Sequence, residues 1–120
     1  MAKINILIVD DEPMIRALLE NTMHRTNYPC WFAENGEKAL EIIAAQPVDV
    51  VVTDIDMPVM DGLTLCRQIK NDPELKEIYV VMFSSLINDQ MVIKCKKAMA
   101  DAYVTKPEIN QLIQILDKRC

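Results

Sequence analysis

Residues 48–58 of the chain read Val-Asp-Val-Val-Val-Thr-Asp-Ile-Asp-Met-Pro. Residues 48–54 are rich in β-branched and apolar side chains, which is typical of a strand that is buried on both faces of a sheet. Burial on both faces is characteristic of a parallel sheet that helices cover from either side. Asp54 ends this strand and Asp56 stands two residues later, so the same stretch predicts both the type of sheet and polar groups at its edge.

Strand and helix patterns alternate along the whole chain. Apolar runs predict strands at residues 4–10, 30–34, 48–54, 78–84 and 102–105, and stretches of helical period lie between them. The pattern predicts an α/β fold, with five parallel strands joined by crossover helices and five helices in all. The apolar residues that we expect on the buried helix faces are Met14, Ile15, Leu18, Leu19, Met23, Leu40, Ile43, Met91, Val92, Cys95, Met99, Ile109, Leu112, Ile113 and Leu116.

Local signals place the ends of these helices. Pro13 suits a first helical turn, and Asn35 and Asn88 are suitable N-cap residues. Gly62 is expected to open the third helix, which Asp72-Pro73 would end. The last helix is expected from about residue 108 to the end, so we expect one domain over residues 1–120 with no residues left for an output domain.

Composition excludes several classes of function. A chain of 120 residues with 51% hydrophobic and 26% charged residues is typical of one globular domain. Its net charge of -5 and lack of a basic run argue against direct nucleic-acid binding. The longest apolar runs, such as residues 6–9 and 50–52, are too short to span a membrane, and the first residues lack a signal-peptide pattern, so we expect a cytoplasmic protein.

The four cysteines form no recognisable motif. Cys30, Cys66, Cys95 and Cys120 are scattered and contain no Cys-x-x-Cys pair. Neither a disulfide framework nor a zinc site is indicated. We expect buried, reduced thiols.

Polar residues stand at the carboxyl ends of four of the five predicted strands. They are Asp10-Asp11-Glu12, Asp54-Ile55-Asp56, Ser84-Ser85 and Lys106-Pro107. Each residue alone has a plain structural interpretation as a helix cap, a turn residue or a solvated charge. Because parallel strands bring their carboxyl ends to one edge, however, the carboxylates would repel one another by roughly 4 kcal/mol per pair at about 4 Å. A cation must relieve that repulsion, and magnesium prefers oxygen ligands of this kind.

With these residues the chain resembles the receiver domain of two-component response regulators, and in particular single-domain chemotaxis regulators. The resemblance covers all 120 residues and implies a doubly wound, flavodoxin-like sheet of strand order 2-1-3-4-5. It also implies a cis Lys106-Pro107 bond. The motifs that carry it, besides the acidic pair and the residues just named, are Met57-Pro58, Asp61-Gly62 and Tyr103.

The resemblance also implies a role for each site residue. Asp54 would be the phosphoacceptor, and magnesium would be bound by Asp11, Asp54 and the backbone carbonyl of Asp56, with Asp10 acting through water. Ser84 would bond to one phosphoryl oxygen and Lys106 would pair with another. Ser84 and Tyr103 would then switch the surface formed by the fourth helix, the fifth strand and the last helix.

Such a protein is a signalling switch and not an ordinary enzyme. The implied partners are a histidine kinase or a histidine phosphotransfer protein and a downstream protein target, with chemotaxis signalling as one family precedent. The resemblance further implies that the side chains two positions after the phosphoacceptor and two after Ser84, here Asp56 and Leu86, influence loss of the phosphoryl group. Because Leu86 cannot orient a water, we expect slow autodephosphorylation. The sequence departs from the usual pattern at Ser85, Ala102 and Glu108, and Asp56 adds an extra acid two residues after the phosphoacceptor.

The same residues allow three other interpretations. A haloacid-dehalogenase-like phosphohydrolase also uses paired aspartates, a hydroxyl residue and a lysine, but here the acidic pair comes first, Pro58 stands where that motif has threonine or valine, and the chain is small. A degenerate receiver would serve only as an unphosphorylated interaction module, yet every required group is retained. A flavodoxin-like cofactor binder is disfavoured because the chain has only two glycines.

Overall fold

The computed structural model describes residues 4–119 and contains the predicted five-stranded parallel sheet in the order β2-β1-β3-β4-β5. The strands are β1 (Ile6–Val9), β2 (Cys30–Ala33), β3 (Val50–Thr53), β4 (Tyr79–Ser84) and β5 (Ala102–Thr105). The helices are α1 (Pro13–Thr26), α2 (Gly36–Ala45), α3 (Gly62–Asn71), α4 (Asp89–Lys97) and α5 (Ile109–Arg119). The predicted α/β class and strand order are confirmed.

Helices cover both faces of the sheet and divide the core in two. One buried cluster lies between the sheet and α2, α3 and α4, and includes Ala39, Leu65 and Cys95. The other lies between the sheet and α1 and α5, and includes Leu19 and Leu112. The central strands β1, β3 and β4 are almost fully buried, which explains their nearly continuous apolar sequences.

The predicted helix ends are found where the local signals placed them. The Asn35 side chain accepts a hydrogen bond from the Lys38 amide, and Asn88 accepts one from Met91. Pro13 is the first residue of α1. The third helix begins at Gly62 after an Asp61 N-cap and ends at Asn71, immediately before Asp72 and Pro73. These caps satisfy amides that a helix cannot satisfy itself.

Three residues expected on buried helix faces are exposed. Met14 and Leu18 are 85% and 40% exposed, because Ile15, Leu19 and Met23 already form the stripe of α1 that faces the sheet. Met99 is 46% exposed because α4 ends at Lys97 and Met99 has a left-handed φ of 67°, which takes it out of the helical register. Most strands are also shorter than predicted, as in β1, which omits Ile4 and Asp10.

The cysteines in residues 4–119 are free thiols, as predicted, although Cys30 is only partly buried. Cys66 donates to the Ala98 carbonyl at 3.1 Å, and burial raises the pKa of this thiol to about 12. Cys120 lies outside the described residues. Within the described chain, no helix combines the length and the apolar character that a membrane crossing requires.

Candidate functional site

Three charged residues lie just past the carboxyl ends of their strands, and backbone hydrogen bonds to the neighbouring strands fix their positions. The Asp54 amide donates to the Val9 carbonyl at 2.9 Å, and the Asp10 amide donates to Ala33 at 3.0 Å. The Lys106 amide donates to the Ser84 carbonyl at 3.0 Å, and the cis Lys106–Pro107 bond implied by the resemblance follows it and begins the turn to α5. Ladder geometry therefore brings residues far apart in sequence to one edge, as predicted.

Lys106 is the central cation of this edge. Its ammonium group lies 2.8 Å from an Asp10 oxygen, 3.2 Å from Asp54 Oδ2 and 3.9 Å from a Glu12 oxygen. The side chains of Lys106, Asp10 and Asp54 are each less than a tenth exposed. The Lys106 ammonium group, which has three N–H donors, thus donates hydrogen bonds to two buried carboxylates at the ends of different strands. Charge-assisted hydrogen bonds of this kind are strong.

The two buried carboxylates are held from their other sides by backbone amides. The Ile55 amide donates to Asp54 Oδ1 at 2.8 Å, so Oδ1 is fixed while Oδ2 faces Lys106. The Glu12 amide donates to Asp10 Oδ1 at 2.9 Å and closes a short turn that leads into α1. Both side chains are therefore positioned before any ligand arrives.

Burial shapes the electrostatics of the site. Burial raises the pKa of Asp10 above its usual value, and the hydrogen bonds from Lys106 and from the Glu12 amide only partly oppose this. Burial would lower the pKa of Lys106, but the hydrogen bond and charge of Asp10, with the charge of Asp54, outweigh it and raise that pKa. Lys106 is therefore charged at neutral pH. Ionisation of the buried Asp10 carboxyl costs free energy, and further positive charge nearby would reduce that cost.

Four carboxylates form a cluster that is able to hold a metal ion. Oxygen atoms of Asp10, Asp11, Glu12 and Asp54 all lie within 4.8 Å of one another. Asp10 and Asp54 are buried, whereas Asp11 and Glu12 are exposed. An all-oxygen donor set with one side open to water fits a hard divalent cation such as magnesium, which keeps several water ligands.

The other predicted site residues surround this cluster at different depths. Ser84 is buried at the end of β4, and its hydroxyl accepts a hydrogen bond from the Leu86 amide at 3.1 Å. The side chains of Asp56 and Leu86 are exposed in the loops that follow β3 and β4. Tyr103 is 39% exposed on β5, two positions before the residue that pairs with Ser84.

From the sequence, neither Glu12 nor Gly62 was given a role in the site itself. Glu12 belongs to the acidic cluster and lies near Lys106, for which the only signal was its position directly after the acidic pair. Gly62 packs so closely that a Cβ atom there would lie 2.0 Å from the Asp54 carbonyl oxygen. Only glycine fits this contact, which holds the start of α3 against the end of β3.

Comparison with known proteins assigns the family. Residues 6–117 match the model of the response regulator receiver domain, which is almost the whole chain. The chain belongs to this family. The resemblance inferred from the acidic pair, Asp54, Ser84 and Lys106 is therefore confirmed, and the protein is a receiver domain of the two-component type.

Individual relatives agree with this assignment. The chemotaxis protein CheY1 of Helicobacter pylori is 33% identical over 111 residues, which are 91% of this chain and 90% of that protein. A putative response regulator of Chloroflexus aurantiacus has 28% identity and a TM-score of 0.91, with 98% of this chain and 97% of that one covered. Four other curated relatives are longer, and the chain spans between 10% and 49% of their lengths.

A third comparison concerns a solved structure with a bound ion. The receiver domain of the sensor histidine kinase PA1611 from Pseudomonas aeruginosa has the same fold, with a TM-score of 0.88 at 23% identity over 98% of this chain and 97% of that one. That structure has a magnesium ion coordinated in its active site cleft. At this identity the likeness establishes the shared fold alone.

Proposed function

We propose that this receiver domain accepts a phosphoryl group on Asp54 from a histidine kinase or a histidine phosphotransfer protein, with the help of magnesium. The observation that carries the proposal is the buried Asp54 carboxylate, with Oδ2 3.2 Å from the Lys106 ammonium inside a cluster of four acids. The domain comprises residues 1–120, and the phosphorylated state signals through the surface of α4, β5 and α5.

The acidic cluster supports the choice of residues for magnesium. Asp11 and Asp54 would bind the ion directly together with the backbone carbonyl of Asp56, and Asp10 would act through water. Asp10 fits that part because it already accepts bonds from Lys106 and from the Glu12 amide. The bound ion would neutralise negative charge on the donor phosphoryl group and on the cluster.

The protein's own groups prepare Asp54 for attack. One Asp54 oxygen attacks phosphorus, the bond between phosphorus and the donor histidine nitrogen breaks, and the electron pair stays on the imidazole. The Ile55 amide holds Oδ1 and so fixes the plane of the carboxylate. Lys106 offers a fixed positive charge beside the oxygen atoms where charge develops.

Ser84 and Tyr103 would carry the signal away from Asp54. In the unphosphorylated structure, the Ser84 hydroxyl accepts from the Leu86 amide, and Tyr103 is partly exposed. A phosphoryl oxygen on Asp54 would attract the Ser84 hydroxyl and the Ser85 amide, and that movement would open space beneath Tyr103. Tyr103 would then turn inward and change the surface of α4, β5 and α5.

The reaction class is tested by comparing phosphoryl transfer with turnover. The chain is incubated with magnesium and either a small acyl phosphate or a stable phosphomonoester, while protein-bound phosphoryl and free phosphate are followed. We expect at most one phosphoryl group per chain from the acyl phosphate and no sustained release from the phosphomonoester. Sustained turnover of the phosphomonoester would instead favour a haloacid-dehalogenase-like phosphohydrolase, and absence of any phosphoryl uptake would favour a degenerate receiver.

The proposed partners follow from the same role. A donor protein must bring a phosphohistidine to the open side of the acidic cluster, and a downstream protein must recognise the changed surface. The CheY1 relative is a chemotaxis protein by name, so chemotaxis signalling is one candidate pathway. We propose no direct contact with nucleic acid, because the net charge is -5.

A further inference from the structure

Thr53 is a buried polar residue at the last position of β3, directly before Asp54. Its side chain is inaccessible to solvent. Because Val51 packs in the core between the sheet and α2, α3 and α4, Thr53, two positions further along the same strand, points to that face as well. A hydroxyl group among apolar side chains is unfavourable unless it forms a hydrogen bond. The bond that Thr53 forms reaches into the candidate site.

The partner of the Thr53 hydroxyl is the backbone carbonyl of Asp54. The hydroxyl donates to this oxygen at 2.8 Å. The pairing between β1 and β3 ends at Val9 and Thr53, so the Asp54 carbonyl lies beyond the last paired residues. A buried backbone carbonyl without a donor is costly. Thr53 supplies a donor to this carbonyl from the end of the same strand.

The peptide unit that Thr53 binds also holds the Asp54 carboxylate. The Asp54 carbonyl and the Ile55 amide are the two polar groups of one planar peptide unit, in which they point in opposite directions. The Ile55 amide donates to Asp54 Oδ1 at 2.8 Å. A hydroxyl that fixes the carbonyl end of this unit therefore also fixes the direction of the amide that holds Oδ1.

We propose that Thr53 is a positioning residue for phosphoryl transfer, because its hydroxyl orients the peptide unit whose amide holds the Asp54 carboxylate. With Oδ1 held in this way and Oδ2 3.2 Å from the Lys106 ammonium, the carboxylate is fixed from two sides. The inference rests on the proposed function, in which an Asp54 oxygen attacks phosphorus. Misplacement of a reacting group by about 1 Å is enough to slow such a step greatly.

Gly62 packs against the same carbonyl but contributes differently. A Cβ atom at Gly62 would lie 2.0 Å from the Asp54 carbonyl oxygen, and the Gly62 amide donates to the Ile55 carbonyl at 2.8 Å. These contacts limit how far the backbone is able to move, whereas the Thr53 hydroxyl gives the Asp54 carbonyl a directional bond. A change that removes only the hydroxyl should therefore keep the backbone path and loosen the orientation of the peptide unit.

A purely structural role for the hydroxyl predicts a different result. Thr22 is the matched comparison, since it is 2% exposed and its hydroxyl donates to the Leu18 carbonyl at 2.9 Å within α1. A change of either threonine to valine removes one buried hydrogen bond to a carbonyl while the side chain keeps its shape. If the Thr53 bond only stabilised the fold, both changes should affect phosphoryl transfer equally.

The test follows the rate of phosphoryl uptake from a small acyl phosphate by intact mass, at saturating magnesium and over a range of acyl phosphate concentrations. We expect Thr53→Val to lower the maximal rate roughly fivefold or more, while the half-saturating acyl phosphate concentration changes less than about twofold. Thr22→Val should stay within about twofold of the wild type in both quantities.

Rescue by serine and a spectroscopic probe separate positioning from loss of stability. Thr53→Ser keeps the hydroxyl and should retain a maximal rate within about twofold of the wild type. Thr53→Ala differs from it by that oxygen alone and should behave as Thr53→Val does. The Ile55 amide proton reports the bond to Asp54 Oδ1 in NMR spectra. It should move to higher field in the valine and alanine variants of Thr53, and stay near its wild-type position in Thr53→Ser and Thr22→Val.

Any one of three results would overturn the inference. They are equal maximal rates in Thr53→Val and Thr22→Val, equal losses in Thr53→Ser and Thr53→Ala, and a slow Thr53→Val whose Ile55 resonance is unchanged. Absence of uptake by the wild type would contradict the proposed function, and the role of Thr53 with it. Normal uptake by both the wild type and Thr53→Val would contradict the role of Thr53 alone.

Discussion

At the scale of single residues, the site places buried charges of opposite sign together, each of which would be unfavourable if it were buried alone. Asp10 is buried and its pKa is raised by that burial, whereas Asp11 belongs to the same cluster and is exposed. An acid whose pKa is raised by folding destabilises the protein when it ionises, because the charged form prefers the unfolded chain. The two neighbouring acids therefore differ in what they contribute to stability and to metal binding.

This difference predicts different effects on stability for two conservative changes, Asp10→Asn and Asp11→Asn. Asp10→Asn should raise the free energy of unfolding by about 1 kcal/mol at neutral pH without metal. The change removes a buried negative charge, whereas Lys106 keeps its ion pair with Asp54. The gain should shrink as pH falls through the raised pKa of Asp10, where the wild-type carboxyl becomes neutral too. Urea unfolding across pH measures both effects.

Asp11→Asn is the matched control. Because Asp11 is exposed, its change should alter stability by less than about 0.5 kcal/mol, yet it should weaken magnesium binding roughly tenfold or more in calorimetry. Unchanged magnesium affinity in Asp11→Asn, or a loss of stability in Asp10→Asn, would contradict these roles.

A second residue-scale prediction concerns the lifetime of the phosphorylated form. Leu86 is 45% exposed after β4 and has no group that orients a water toward phosphorus. Leu86→Gln and Leu86→Glu should therefore speed phosphoryl loss measurably under saturating magnesium. Asp56→Asn, which removes the exposed acid after β3, tests whether Asp56 contributes. Equal decay rates in the wild type and both Leu86 variants would exclude this role for Leu86.

At the scale of elements, close packing of helix starts against the sheet positions the site. Gly62 and Gly36 are each the first residue of a helix, but a Cβ atom would meet different neighbours at the two positions. At Gly62 it would lie 2.0 Å from the Asp54 backbone carbonyl, whereas at Gly36 it would lie 2.8 Å from the Met60 side chain. The Asp54 backbone carbonyl cannot move away from an added Cβ atom, whereas the flexible Met60 side chain can.

The two glycines therefore predict different tolerance to alanine. Gly62→Ala should lower the free energy of unfolding by about 3 kcal/mol and disturb magnesium binding, since the loop after Asp54 must shift. Gly36→Ala should change it by less than about 1 kcal/mol, because Met60 can turn and alanine favours the helix. Thermal unfolding with and without magnesium compares them, and similar losses in the two variants would refute the close approach at Gly62.

A further prediction at this scale concerns signal transmission. A phosphoryl mimic with magnesium should change amide exchange or NMR shifts in α4, β5 and α5, because Ser84 ends β4 and pairs with β5 through Thr105. Asp54→Asn is the control and should show no such change. Changes confined to α1 and α2 would contradict the proposed route through Ser84 and Tyr103.

The elements were largely predictable from the sequence, and the exceptions have physical reasons. Helix starts at Pro13, Asn35 and Asn88 followed from local backbone chemistry, which needs no tertiary information. The exposure of Met14 could not be predicted in this way. Two overlapping sets of apolar residues on α1 fit the helical period, and only packing against the sheet decides which set is buried. The Lys70 ammonium, which donates to the Ile78 carbonyl at 2.7 Å and to Asp101 at 2.6 Å, joins elements distant in sequence and left no pattern there.

At the scale of the whole molecule, the parallel topology assembles the site. Asp10, Asp54 and Lys106 come from three strands and meet only because all strand ends share one edge. Their proximity was predictable, because a parallel sheet fixes which ends lie together. Other features of the site depend on loop conformations, which sequence patterns do not specify. They are the distances from Lys106 to the carboxylates, the presence of Glu12 in the acidic cluster, and the close packing of Gly62 against the Asp54 carbonyl.

The most direct measurement is the intact mass of the chain after incubation with a small acyl phosphate. Wild type, Asp54→Asn and Asp56→Asn are compared with magnesium and with a chelator. With magnesium, wild type and Asp56→Asn should each gain the mass of one phosphoryl group, whereas Asp54→Asn and all chelator samples should gain none. No gain in wild type, or an equal gain in Asp54→Asn, would contradict Asp54 as the phosphoacceptor.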